Sequence, residues 1–304
     1  MPQATRDIKR RIKSVGNTKK VTKAMEMVSA AKMRKSVANV LASRSYASLA
    51  GDLIMHLSAR TDSKYHPLLR ANHGAGKIGL ILVTSNRGLC GGFNNQIINQ
   101  AIKFIKLQHQ GEAQVEVVAM GKKGREAMVK TKQNMVADFN KMDITTDMTV
   151  IAPLAKLVIN DYLAGKYDKV MVAYTDFISA LVQKPRILQL LPLSGLAEDK
   201  YLGQAGSVNK EITNEPIMKY EYLFEPSADK VLDQLLPRML ETQIYQTILE
   251  SDAAEHSARM VAMRNATDAA SDMIAELTLV FNKARQGSIT AELADISGGR
   301  AALE

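Results

Sequence analysis

The segment most capable of chemistry is Ser85-Asn86-Arg87-Gly88-Leu89-Cys90-Gly91-Gly92-Phe93-Asn94. It follows an apolar run and precedes a helical pattern. Glycines placed there can turn backbone N–H groups toward a phosphate. The spacing is neither G-x-G-x-x-G nor a loop ending in G-K-[ST], so the segment reads as a structural turn, with a nucleotide site as the alternative. Cys90 is the single cysteine, which excludes an intrachain disulfide and leaves a thiolate metal site without partners. Its simplest role is that of a small buried apolar side chain. His56, His66, His73, His109 and His256 show neither ligand spacing nor a catalytic context. The expectation is a chain with no catalytic residue, no cofactor and no metal.

The elements around that turn alternate. Lys77 to Thr84 reads as a buried strand, Asn95 to Leu107 as a helix, and Val115 to Met120 as a second strand. Lys122 to Thr131 and Val150 to Leu163 read as helices, and Val170 to Tyr174 as a third strand. Arg186 to Pro192 and Met218 to Phe224 are candidate edge strands, and Gly195 to Asn214 is a polar loop. Strands alternating with helices predict a mainly parallel sheet in a small α/β, Rossmann-like domain.

Glycine and proline are absent from Asn17 to Ala50 and again from Arg238 to Gln286. Such uninterrupted stretches predict two long helices, from near Thr5 to near Leu57 and from near Pro237 to near Leu303. At 1.5 Å per residue these would be roughly 80 and 100 Å long. Pro237 fits a first turn, where its missing N–H costs least. Ile8, Ile12 and Val15, then Val21, Met25 and Val28, step by four and three. Ile244, Ile248, Leu249, Ala253 and Ala254 continue such a stripe near the other end, as do Ile274, Leu277, Val280 and Phe281. If both helices stack on one side of the middle domain, they pair antiparallel. The predicted fold is therefore α/β with long helices: an antiparallel two-helix coiled coil of the terminal segments plus the α/β domain. The domains are 1–60, 61–225 and 226–304.

Charge is concentrated at one end. Eleven basic residues lie between Met1 and Lys35 against Asp7 and Glu26, a surplus equal to the net +9 of the whole chain. A solvated helix face explains such a run, as does a DNA-reading basic region before a coiled coil. A membrane-surface helix would want Trp or Phe anchors that this segment lacks. A basic shaft among acidic protein surfaces explains both the charge and the apolar stripe running through it. The opening residues show no signal-peptide core. No stretch approaches the roughly 18 apolar residues of a membrane span.

Three separated runs resemble one family. They are Ile8-Lys9-Arg10-Arg11-Ile12-Lys13-Ser14-Val15 with Asn17 to Val28, then Ser85 to Asn94, then Glu255-His256-Ser257-Ala258-Arg259-Met260 with Phe281-Asn282-Lys283-Ala284-Arg285-Gln286 and Thr290. Together they are similar to the γ subunits of F-type ATP synthases, of bacterial type. The resemblance implies a rotor shaft, present once per complex, inside a hexamer of α and β subunits. Its foot would bind the ε subunit and the c-subunit ring, peripheral on the cytoplasmic face of the bacterial plasma membrane, with no inserted segment and no nucleic acid. Carried over by position, Lys23, Met25, Arg259, Arg285, Gln286 and Thr290 would contact β subunits. Tyr222, Phe224 and Glu225 would contact the ring. A basic coiled-coil nucleic-acid-binding protein is the alternative.

Overall fold

A computed structural model describes residues 3–60, 66–72, 76–145, 147–193 and 228–301, excepting the side chains of 3–4, 44–60, 228–229 and 298–301. The chain divides into two compact units, Ala30–Ala258 and Met1–Ser29 with Arg259–Glu304. Helices α1 (Gln3–Arg60) and α5 (Ala228–Ala301) contribute to both.

In the larger unit the strands β1 (Lys77–Val83), β2 (Gln114–Met120), β3 (Met135–Phe139), β4 (Lys169–Phe177) and β5 (Gln183–Leu191) form a sheet in the order β3-β2-β1-β4-β5. The first four pair in parallel and β5 joins β4 antiparallel. The helices between them are α2 (Phe93–Gln110), α3 (Lys122–Lys130) and α4 (Ala152–Leu163), the last entered through a 3-10 turn at Met148–Val150.

Strand β1 is apolar almost throughout because both faces are covered. Ile78, Leu80 and Leu82 pack with Ile97, Ala101 and Ile105 of α2 and Met128 of α3. Ile81 and Val83 point the other way, toward Leu154, Val158 and Tyr162 of α4 and Leu232, Leu236, Leu240, Ile244 and Ile248 of α5. Chain handedness makes the two layers. The steps β1 to β2 and β2 to β3 run one way along the sheet, and the step from β3 back to β4 runs the other way. Right-handed crossovers therefore put α4 on the face opposite α2 and α3.

The start of α5 differs from the sequence expectation. The helix begins at Ala228, so Pro237 lies inside it rather than in its first turn. An internal proline costs about 3 kcal/mol. Against that, Leu232 and Leu236 before the proline and Leu240 after it are fully buried in the sheet's core, and each such side chain contributes about 1.5–3 kcal/mol. Burial on both sides of the proline carries the helix through it.

The described residues of the smaller unit are all helical. Thr267 donates its hydroxyl to Thr22 at 2.8 Å, and Thr5, Ser29, Met263, Thr267 and Ala270 are buried. In the larger unit Ser43 of α1 donates to Gln246 of α5 at 2.6 Å. In the same unit Asn39 donates to the Thr145 carbonyl while the Thr145 amide donates to Asp252, so moving toward the N-terminus of α1 there means moving toward the C-terminus of α5, the register of an antiparallel pair. The Met218 to Phe224 strand and the Gly195 to Asn214 loop lie outside the described residues.

Candidate functional site

A doubly wound sheet binds ligands outside the carboxyl ends of its strands, where the strand order reverses. Here that position lies between β1 and β4, and the chain fills it with its own helices. Cys90 and Phe93, after β1, and Phe177, at the end of β4, form one buried cluster with Val40 of α1 and Leu249, Ala253 and Ala254 of α5. The two alanines let α5 approach the sheet closely.

The glycine-rich turn is closed on itself. The Ser85 amide donates to Asn94 Oδ1 at 3.0 Å, and the Ser85 hydroxyl donates to the Arg87 carbonyl at 2.6 Å. Asn94 Nδ2 donates to Ser85 Oγ at 2.7 Å and to Cys90 Sγ at 3.1 Å. Leu89 and Gly91 hold positive φ angles of 62° and 57° that bring the chain round. At the head of α3, the amides of Lys122, Lys123 and Gly124 donate to Asn86 Oδ1, the Ser85 carbonyl and Thr84 Oγ1. These N–H groups, which in a nucleotide-binding sheet would meet phosphate, are satisfied by the end of β1. A Cβ at Gly124 would stand 2.8 Å from Thr84 Oγ1, so glycine is what permits the contact.

Next to this turn, two loops grip the helices with polar groups. Lys141, after β3, is 1% exposed and lies 2.8 Å from Asp252 Oδ1 and 2.6 Å from Glu255 Oε2, both on α5. Burial works against its charge, but the two carboxylates outweigh it and hold the ammonium well above the ordinary lysine range. The other Asp252 oxygen accepts the Thr145 amide at 2.8 Å. His256 Nε2 lies 2.6 Å from the Asp143 carbonyl, which can only accept, so that nitrogen carries the proton. Burial lowers the His256 pKa from its ordinary 6.5, partly offset by this bond. Ser257 donates to the Ala180 carbonyl, in the turn between β4 and β5, at 2.6 Å. From α1, Lys32 pairs with the Asp143 carboxylate at 2.9 Å, and Asn39 donates to the Thr145 carbonyl at 3.3 Å. The hydrogen bond from Lys32 lowers the Asp143 pKa. Lys32 and Asn39 stand seven residues apart and so share one helix face.

This collar was not visible in the sequence as a site. Glu255, His256 and Ser257 stood inside a quoted motif, but Lys141 lies more than a hundred residues away with no local signal.

The residues singled out for contact with β subunits lie in the smaller unit. Lys23 pairs with Glu26 at 2.9 Å and is half exposed, and Met25 is 40% exposed beside them. Arg259 is half-buried, whereas Arg285, Gln286 and Thr290 are exposed, the Thr290 hydroxyl donating to the Gln286 carbonyl at 3.0 Å. Tyr222, Phe224 and Glu225 lie outside the described residues. Large apolar side chains are also exposed here, among them Val21, Met27, Val28, Leu279, Leu293 and Ile296.

A family model described as ATP synthase matches residues 4–303. The ATP synthase gamma chain of Roseiflexus castenholzii is 43% identical over 302 residues, covering 99% of this chain and 98% of that one. The ATP synthase gamma chain of Herpetosiphon aurantiacus is 42% identical over 307 residues, 99% of each. The chain belongs to the ATP synthase gamma chain family. A cryo-EM structure of the Euglena gracilis mitochondrial ATP synthase contains a chain with the same fold, at a TM-score of 0.65 and 17% identity, over 99% of this chain and 94% of that chain. Nothing in these matches supports the nucleic-acid-binding alternative. Within the larger unit, the crevice of the α/β fold is filled from within by α1 and α5. Among the described residues, no helix is long and apolar enough to cross a membrane.

Proposed function

We propose that this chain is the turning shaft of an F-type ATP synthase and carries no active site of its own. The observation that carries the reading is the smaller unit, in which helices α1 and α5 leave large apolar and basic side chains uncovered. So many large apolar side chains exposed on two helices support a protein interface there. In this reading it is covered by a hexamer of α and β subunits, one shaft to each hexamer. Lys23, Met25, Arg259, Arg285, Gln286 and Thr290 then face the β subunits, and Tyr222, Phe224 and Glu225 face the c-subunit ring beside the ε subunit. The complex holds the chain at the cytoplasmic face of a bacterial membrane.

The physics of coupling follows from symmetry. A shaft without threefold symmetry presents a different surface to each of three surrounding β subunits. The free energy of each β subunit, and so its nucleotide affinity, depends on shaft angle. By linkage, binding and release of nucleotide must push back on that angle. Torque from an ion-driven ring then becomes ATP synthesis, and hydrolysis becomes reverse rotation.

Purification of the intact complex tests this. The expected result is one copy of this chain for three α and three β subunits, with no ATP hydrolysis by the chain alone. Three copies, none, or turnover by the isolated chain would discard the reading.

A further inference from the structure

The geometry points to the collar as the angular lock of the shaft: the loop 140–145 and the turn 178–182 fix the rotational setting of α5 and α1 against the sheet, and torque crosses between them there. This rests on the shaft reading above and adds to it the place inside the chain where the load passes.

Close-packed apolar contacts resist separation and sliding but carry no directional bonds, so hydrogen bonds and ion pairs add the sharpest angular constraint. The first turns of α5 meet the sheet through such apolar contacts, at Leu232, Leu236, Leu240, Ile244 and Ile248. One half-exposed polar pair, His66 with Asp233 at 3.2 Å, stands near the start of α5, and the buried polar contacts to the sheet's loops come afterwards, at Asp252, Glu255, His256 and Ser257. At 100° per residue these four positions span about 200° of the helix circumference. Bonds on both flanks of a rod oppose rolling in either direction, which bonds on one flank cannot do. Their partners come from two separate loops of the sheet, Lys141 and Asp143 after β3 and Ala180 between β4 and β5. The first loop also holds α1 at Lys32 and Asn39, so a single segment sets the angle of both helices. The collar occupies the last turn of α5 within the larger unit, which ends at Ala258. Any torque leaving the sheet along α5 must pass it. The ion triad is buried, with Lys141 and Asp252 each 1% exposed, so water neither screens nor lubricates it.

The experiment uses the whole membrane-bound complex carrying Lys141→Gln, Glu255→Gln or the exchange Lys141→Glu with Glu255→Lys. Glu116→Gln serves as the control, since Glu116 anchors another buried ion cluster in the same unit, at the starting end of the parallel strands, whereas loop 140–145 follows their far end. Ion pumping per ATP hydrolysed is read beside hydrolysis rate, and the twist stiffness between probes on the sheet and on α5 is read by single-molecule rotation. Lys141→Gln and Glu255→Gln are expected to lose stiffness and pumping per ATP while hydrolysis continues. The exchange, which keeps one cation with two carboxylates, restores part of both, and Glu116→Gln loses neither. Wild-type stiffness and pumping in assembled Lys141→Gln and Glu255→Gln complexes would overturn the lock, as would equal losses in Glu116→Gln. If Lys141→Gln does not assemble, Glu255→Gln decides, because it leaves Asp252 on Lys141. Failure of the shaft reading is recognised separately: the wild-type complex would then lack this chain.

Discussion

Replacing Lys141 by Met tests the energetics of the buried triad on the chain itself. Methionine nearly matches the length of the lysine stem but leaves Asp252 and Glu255, at 1% and 9% side-chain exposure, facing each other without a cation. Removing one partner of a buried ion pair costs about 3–5 kcal/mol, because the remaining charge keeps its desolvation penalty. Thr145 still donates to Asp252, which argues for the lower half of that range. The sign with pH is fixed. Uptake of a proton by either carboxylate removes the repulsion, so the penalty is full at neutral pH and shrinks as pH falls toward the carboxylate range. In the unaltered chain the lysine pKa is raised, so its contribution is fully present below the ordinary 10.5 and fades only as pH rises beyond it. Tyr162, Tyr167 and Tyr174 are buried in the sheet's core and no tryptophan is present, so near-ultraviolet circular dichroism reports the larger unit. Urea titrations at pH 7 and pH 5 should show a loss near 3 kcal/mol at the first and a clearly smaller one at the second. A loss under about 1 kcal/mol at pH 7, or the same loss at both, would refute the account of a paired buried charge.

Other perturbations follow from the same contacts. Glu116 accepts from Tyr167 at 2.9 Å and from Lys77 at 3.2 Å and pairs with Lys166 at 3.2 Å; burial raises its pKa, but these partners lower it below 4.5 overall. Stability from this group is present above that value and lost as pH falls through the lowered one, so Glu116→Gln should melt about 1–3 kcal/mol less stable at pH 7 and lack that part of the acid transition. Burial lowers the His256 pKa below its ordinary 6.5, so unfolding takes up a proton and stability declines as pH drops from there; His256→Gln should flatten the fall of the melting temperature below pH 6.5. Arg285→Ala changes an exposed position and should leave the melting of the chain within about 0.5 kcal/mol, while lowering coupled ATP synthesis in the complex; unaltered synthesis counts against the proposed contact. Met25→Lys adds a cation beside Lys23 and should weaken ion pumping per ATP more than assembly, which quantitation of both in the same membranes checks.

Much of the scaffold could be read from the residues because its signals are local. Long runs without glycine or proline marked both terminal helices, and the apolar runs at Lys77 and Val170 marked strands covered on both faces. The edge strand foreseen at Arg186 to Pro192 is β5, Gln183–Leu191. Strand β3 escaped notice because Met135-Val136-Ala137-Asp138-Phe139 is five residues long, carries an aspartate and buries only one side. The start of α5 was misplaced because a proline is a strong local stop, and what overrides it is distant packing of Leu232 and Leu236. The collar was out of reach for the same reason. A buried lysine looks like any surface lysine until the fold brings Asp252 and Glu255 to it. The motif containing Glu255, His256 and Ser257 announced that something was there but not what it held.

The opening turns of α5 lie in the interior of the sheet domain, yet they are made after all five strands. During synthesis, strands β1 to β5 emerge with one apolar side covered only in part, by α4, and must wait for the opening turns of α5 before that side can close. A ribosome that stops short of them releases a sticky half-sheet, open to proteases and to aggregation, rather than a foot awaiting its shaft. Quality control is thus written into the order of the chain: a truncated product should be cleared before it can join a motor it would jam, and pulse-chase of a chain ending at residue 227 would show its lifetime.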